Sequence, residues 1–331
     1  MRSGNGWVTC EQGHQHWGLF GAAGVLAYAP DPDDQAGSVV LLQHRARWSH
    51  QGGTWALPGG AMDSDETPAE AALREADEEC MLDPKLVVPR GLYVEVHGGW
   101  TYHTILAQAA EPFRVYSDAY ESDEVLWLPA GQVDQLDLHP GFAASWPVLR
   151  EALQPLTVFV DGTGLGDGTG DGRARAGAAA AALRARLTDL TRVGIAALPD
   201  GFAAPPLERW YPDYVLVLDD SGLDDPALDG NVLEGGALAA AGDEAGKASR
   251  TARYSWNEPL AVRTAEVRTV AVADRAQADD VLADLAGNTR GRRLVVSDRP
   301  GVRDRAAGAG AGAAGLEWLL GLLPPADAPG S

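Results

Sequence analysis

Hydrophobic and polar positions divide the chain into two halves with different rhythms. In the first half, residues 18–28 (GLFGAAGVLAY) and 39–43 (VVLLQ) are apolar runs separated by a turn-rich segment from Pro30 to Gly37. Two such runs predict a β-hairpin. Residues 87–96 and 100–107 alternate on either side of His97-Gly98-Gly99 and predict two more strands, with a further short strand at 125–129. The stretch from His139 to Arg150 reads as a closing helix, and Pro155 as a boundary. Residues 1–16 are polar and are expected to be loosely ordered.

The second half alternates short apolar runs (156–160, 214–218, 267–272, 294–296) with alanine-rich segments such as 173–190 and 276–286. Strand–helix alternation predicts a mostly parallel sheet with helices on both faces. The expected fold class is therefore α/β throughout. Residues 221–250, rich in Gly, Ala and Asp, read as a mobile insertion, and 323–331 as a tail.

One stretch breaks the apolar rhythm with charge. Thr67 and Glu70 bracket Pro68 as a capping box with Pro at the first helical position, where a missing N–H costs nothing. Ala69, Ala72, Leu73, Ala76 and Cys80 then recur at helical spacing and predict a narrow, small-residue packing face. Glu75, Glu78 and Glu79 stand at i, i+3 and i+4, within one arc of that helix at about 100° per residue. Three carboxylates there repel one another unless a cation lies between them, and oxygen-only donors suit a hard ion, Mg²⁺ or Mn²⁺. A solvated acidic face is the plainer alternative.

The flanking residues add a spacing. Gly60 lies six residues before Glu66, Glu66 eight before Arg74, and Arg74 directly precedes Glu75. With Glu78 and Glu79 this resembles the Nudix box, glycine-x5-Glu-x7-Arg-Glu-aliphatic-x-Glu-Glu-x-Gly-aliphatic. Ala76 is a small occupant of the aliphatic slot. Met81 replaces the second glycine, where a side chain in a left-handed helix terminus costs roughly 1 kcal/mol. Trp55-Ala-Leu-Pro-Gly59-Gly60 resembles the segment that leads into the box, where glycines bring backbone close to metal and phosphates.

The resemblance covers residues 17–152 and implies an α/β/α sandwich that hydrolyses a nucleoside diphosphate linked to another group. It implies Glu78 and Glu79 as principal metal ligands, Glu75 as a further ligand or the base, Gly60 as a carbonyl ligand, and Glu121 or Glu124 as an assisting acid. Glu66 and Arg74 are implied as a structural ion pair, although Glu70, at i−4 from Arg74, competes for the same guanidinium. Arg45, Arg47, Trp55 and Gly59 are candidate substrate contacts, and Trp48 could stack on a base. The substrate expected is a (deoxy)nucleoside triphosphate, an oxidised one such as 8-oxo-dGTP included. The alternatives are ADP-ribose or a nucleotide sugar, or a nucleotide-sensing domain without catalysis.

Charge and cysteine content narrow the setting. The 331 residues carry 26 Lys and Arg against 47 Asp and Glu, a net charge of −21. Such a surface disfavours broad nucleic-acid binding, whereas a small phosphorylated substrate remains compatible because a bound divalent ion inverts the local field. Two cysteines, Cys10 and Cys80, make no disulfide framework, and no apolar signal core or run of 18 apolar residues occurs, so a cytoplasmic setting is expected. Cys10, His14 and His16 invite a metal reading, but no second Cys/His pair follows at zinc-site spacing, which argues against a zinc site.

In the second half, Asp161, Asp219, Asp274 and Asp298 fall at or just past the carboxyl ends of predicted strands, the edge at which open α/β sheets bind ligands. Aspartates are equally common as loop starters and helix caps. Asp161, Asp279, Asp280 and Asp298 together resemble the acidic motifs of PIN-like (NYN-type) nuclease domains, which implies a metal-dependent RNA-cleaving site over residues 156–322. The asparagine that usually follows the first aspartate is missing; Thr163 and Gly164 stand nearby.

Overall fold

The computed structural model describes residues 2–117, 122–165, 171–220, 232–234 and 264–323. Most of the expected insertion at 221–250, and the tail from residue 324 on, lie outside the described residues. The chain divides into two compact units: residues 2–153 with 204–209, and the remaining described residues.

The first unit is built on a mixed sheet. Its strands are β3 (Ala22–Pro30), β4 (Ser38–Arg45), β5 (Trp55–Ala56), β6 (Gly59–Ala61), β7 (Val87–Val96), β8 (Thr101–Ala109) and β9 (Ser122–Pro129). They run in the order β7-β8-β3-β4-β5, with β6 on β3 and β9 on β4. β3 and β8 pair in parallel, and the hairpins β3–β4 and β7–β8 are antiparallel. β3 is buried along both faces, which is why its sequence reads as a continuous apolar run and not as an alternation. Two helices complete the unit, α1 (Pro68–Cys80) and α2 (Pro140–Glu151).

The N-terminal residues differ from expectation. A hairpin of β1 (Trp7–Thr9) and β2 (Gln15–Trp17) forms there, with Trp7 opposite Trp17 and their rings edge to face at 5.4 Å. The two tryptophans, 48% and 42% exposed, pack against each other and supply the apolar contact that the polar residues between them lack. The turn closes through Cys10 N–H donating to His14 O at 2.9 Å and Gly13 N–H to Cys10 O at 2.9 Å.

α1 packs as its small-residue face requires. Ala71, Ala72, Leu73 and Ala76 lie fully buried against Ala23, Val25 and Ala27 of β3 and Ile105 and Ala107 of β8. Burying Leu73 alone contributes roughly 2 kcal/mol. The capping box forms: Thr67 Oγ1 accepts from Glu70 N–H, and Glu70 Oε2 accepts from Thr67 N–H at 2.8 Å. At the other end Met81 adopts φ 54°, ψ 37°, the left-handed conformation expected of the missing glycine, with the side chain 59% exposed. Met81→Gly should therefore raise the stability of this unit by up to about 1 kcal/mol in urea unfolding, since strain is relieved and little packing is lost. An unchanged or lower midpoint would mean that Met81 contacts outweigh the strain.

The second unit holds an all-parallel sheet. Its strands are β10 (Leu156–Asp161), β12 (Asp213–Asp219), β13 (Val232–Glu234), β14 (Val267–Val272), β15 (Arg292–Val296) and β16 (Gly312–Ala314), in the order β13-β14-β12-β10-β15-β16; the short β11 (Arg209–Trp210), which precedes β12 in the chain, belongs to the first sheet and not to this one. Helices α3 (Asp171–Val193), α4 (Arg275–Asn288), α5 (Pro300–Gly308) and α6 (Leu316–Leu322) alternate with them. Strand order reverses between β10 and β15, so the carboxyl ends of these two strands flank the position where such sheets usually open a crevice. Among the described residues no helix is long and apolar enough to cross a membrane.

Candidate active site

A cleft of about 1110 Å³ opens over the exposed flank of α1, and Gly59, Gly60, Glu75, Glu78 and Glu79 all line it. The helix delivers the three carboxylates to one wall, and each is held differently. Glu79 is buried: its Oε2 accepts from Gly59 N–H at 2.8 Å and from Gln43 Nε2 at 3.0 Å. Gln43 is itself buried, donating also to Leu57 O and accepting from Ser122 Oγ. A carboxylate so fixed from two sides needs no reorganisation to hold a cation.

Glu75 and Glu78 share one partner. Arg74 Nη1 donates to Glu75 Oε1 at 2.8 Å and to Glu78 Oε2 at 3.2 Å. The same guanidinium donates through Nε and Nη2 to Glu66 at 2.6 and 2.9 Å and to Ala61 O at 3.1 Å. Arg74 thus pairs with Glu66, and Glu70 is turned to the capping box. Burial opposes the charge of Glu66, but the hydrogen bonds from Arg74 and Asp63 N–H and the guanidinium charge outweigh it and hold the carboxyl below its ordinary range. The hydrogen bond with Glu66, only partly offset by burial, and the neighbouring Glu75 raise Arg74.

These groups fit a hard divalent ion. The donors are oxygens, one wholly buried in a cradle of neutral donors and two gathered around a single positive group. Gly60 leaves the space they need, since a Cβ there would lie 2.6 Å from the Glu75 carboxylate. As held by Arg74, Gly59 and Gln43, however, the three carboxylates do not draw their oxygens into a single tight cluster of ligand atoms.

Of the other expected residues, Arg45 lines the cleft, with Nε and Nη2 donating to His50 O at 3.2 and 3.1 Å. Trp48 lines it and is 62% exposed. Arg47 is exposed and is not part of the lining. Trp55 holds its ring tilted against His44 at 5.1 Å and is not part of the lining either. Glu124 is exposed on β9 beside His44 and away from the cleft. Glu121 lies outside the described residues.

Three residues at the site were not anticipated: Glu95 and His139 line the cleft, and Gln43 lies buried behind its wall. Gln43 closes an apolar run, and only its place on the α1 side of β4 makes it the second donor to Glu79. Glu95 lies on β7 facing the cleft, and burial pushes its carboxyl up to about 7. His139, at the start of α2, accepts from Gly141 N–H through Nδ1; burial, with Arg45 and His50 nearby, lowers it to about 4 and keeps it neutral. An ionisable residue on the inward parity of a strand was the available signal for Glu95. None existed for His139.

In the second unit the aspartates are engaged by basic groups and backbone. Asp161, buried at the end of β10, accepts from Arg299 Nε at 2.9 Å, Ser297 Oγ and Thr163 Oγ1. Asp279 pairs with Arg299 and Arg305, and Asp280 with Arg305 at 2.9 Å. Asp298 accepts from Leu316 N–H at 2.8 Å, Asp274 caps α4 through Gln277 N–H, and Asp219 accepts from Gly164 N–H at 3.1 Å. Among the described residues of this unit, no three carboxylates bring ligand atoms together.

A model of the NUDIX domain matches residues 21–151. The Mycobacterium tuberculosis protein named "Putative 8-oxo-dGTP diphosphatase 3" is 50% identical over 161 residues, 47% of this chain and 72% of that protein. A "Nucleoside triphosphate pyrophosphatase/Nudix hydrolase fusion protein" of Bifidobacterium longum is 40% identical over 155 residues, 46% of this chain and 32% of that one. The crystal structure of RenU, a Nudix hydrolase from M. smegmatis, is 51% identical, covering 45% of this chain and 94% of that chain with a TM-score of 0.42.

Proposed function

Because the chain belongs to the Nudix hydrolase family, we propose that residues 17–152 form a domain that uses Mg²⁺ or Mn²⁺ to cleave a (deoxy)nucleoside triphosphate to monophosphate and pyrophosphate. Oxidised nucleotides such as 8-oxo-dGTP are the first substrates to try, given the printed name of the half-identical relative. The observation that carries the reading is the fixed Glu79, flanked by Glu75 and Glu78, on the wall of a cleft large enough for a nucleotide. Clefts of roughly 300–1,000 Å³ are usual for small-molecule sites.

When bound, a divalent ion supplies charge neutralisation at the phosphates and a more acidic water. Glu79, locked by Gly59 and Gln43, anchors the ligand set, and Glu78 completes it. Glu75 serves as a further ligand or takes the proton of the attacking water, a role worth about 10²–10⁴-fold in rate. Arg74 keeps Glu75 and Glu78 aimed at the cleft. Arg45 supplies positive charge toward the phosphates, and Trp48 offers an exposed face for a base.

The test is a panel of nucleoside triphosphates, oxidised nucleotides, ADP-ribose and nucleotide sugars, with Mg²⁺ or Mn²⁺ and products separated by chromatography. Monophosphate plus pyrophosphate is expected. AMP plus ribose phosphate would move the substrate to the nucleotide-sugar group. Nucleotide binding in calorimetry without turnover, with wild type equal to Glu78→Gln, would replace catalysis by sensing.

A further inference from the structure

The strongest convergence of metal-ligating atoms among the described residues is not on α1. It lies on the N-terminal hairpin, where one ligand atom each from Cys10, His14 and His16 all fall within 4.8 Å of one another. We propose that this trio is a second metal site that takes a borderline-soft divalent cation, zinc above all, and pins the β1–β2 hairpin into the wall of the cleft.

The local chain geometry builds the site. The tight turn from Cys10 to His14, with Gly13 at φ 85°, returns the backbone within four residues and sets Cys10 facing the histidines. His14 and His16, two apart in extended chain, project to the same side. Sequence spacing alone argued against zinc because it offered a single cluster and no second pair; folding brings all three side chains together without one.

The state of the side chains is that of ligands lacking other work. Cys10 is 5% exposed and makes no disulfide. The Nε2 of His16 is shut off from water and has no hydrogen-bond partner in the protein, an arrangement that normally costs about 1–3 kcal/mol. Its ring stacks on Trp100 at 4.2 Å and tilts against His97 at 4.8 Å, contacts that restrain its orientation. One sulfur and two imidazole nitrogens are the donors zinc prefers, in contrast to the carboxylate oxygens of α1. Binding would displace the Cys10 thiol proton to solvent and leave a fourth position for water.

The consequence is structural. Trp7, Trp17, His14 and His16 all line the cleft, and the hairpin that carries them has only three residues per strand. A metal clamp fixes such a short hairpin where a hydrophobic core cannot. The site stands independently of the hydrolytic reading, because its readout is metal and not turnover.

The experiment uses the full chain, purified without chelator after growth in zinc-supplemented medium. Elemental analysis is expected to find about one zinc per chain. The cobalt-substituted protein should show thiolate-to-cobalt charge transfer and tetrahedral d–d bands. Cys10→Ser and His16→Ala should each lower zinc content at least tenfold, whereas Glu78→Gln keeps it. Since Cys10 is buried and its variant could misfold, the cobalt spectrum of the wild type is decisive on its own. Wild type with no zinc and no thiolate–cobalt band overturns the proposal, as does zinc lost in Glu78→Gln and retained in Cys10→Ser.

Discussion

Glu79→Gln is expected to lower kcat by at least about 10²-fold at saturating Mg²⁺, because a charged ligand becomes a neutral amide at the best-ordered point of the site. The structure adds a reason specific to this chain. Glu79 Oε2 accepts from both Gly59 N–H and Gln43 Nε2, and a glutamine can keep both only by holding its amide oxygen there. Its NH₂ group must then face the cleft, where a cation is to bind. Glu78→Gln should show a loss of at least similar order, since its half-exposed carboxylate has only Arg74 as a close partner and is free to coordinate. Measuring kcat and the Mg²⁺ dependence together separates the two: lost affinity restored by excess metal points to a peripheral ligand, whereas a rate that stays low points to the core of the site. Full activity in both variants would remove the α1 glutamates from catalysis.

Arg74→Ala should be the most destabilising single change in the box, by about 3 kcal/mol in denaturant unfolding, the range for removing one partner of a partly buried ionic network. Its guanidinium joins the loop carboxylate Glu66, the carbonyl of Ala61 and the helix carboxylates Glu75 and Glu78. Without it these anions face one another uncompensated. The dependence on pH has a definite sign. Glu66 is depressed in the folded state, so its share of the stability is complete above about pH 4.3, the unfolded value, and is lost as pH falls through the folded one. The gap between wild type and variant should therefore be widest near neutrality and narrow in acid. A gap that does not change between pH 7 and pH 3 would mean that Arg74 acts by packing and not by charge.

The division between what was legible and what was not follows the range of the interactions. The helix 68–80, its capping box and the gathering of Glu75, Glu78 and Glu79 on one arc depend on i, i+3 and i+4 geometry, which the helical repeat sets by itself. The parallel strands of the second unit were legible from the alternation of apolar runs and helices. The left-handed terminus at Met81 was in doubt, because the family pattern puts a glycine there, and only the structure shows that Met81 adopts it. The resemblance to the Nudix box rested on that same local spacing, from Gly60 to Glu79.

Tertiary structure alone decided everything that depends on strand register or on one side chain choosing among several partners. Whether Arg74 takes Glu66 or Glu70 was open on helical spacing; the loop delivers Glu66 in bidentate geometry, and Thr67 claims Glu70. Gln43 meets Glu79 across 36 residues because β4 places it on the α1 side of the sheet. Asp161 faces Arg299 across 138 residues, so that an acidic strand end is neutralised by a base no local pattern announces. Cys10, His14 and His16 form a cluster because a polar segment that looked unstructured is closed by two tryptophans and a tight turn. Local chemistry determined the helix and its charges by itself, because backbone geometry repeats over four residues. The partners of those charges were decided by the packed sheet, because only closure of the chain brings distant side chains within bonding distance.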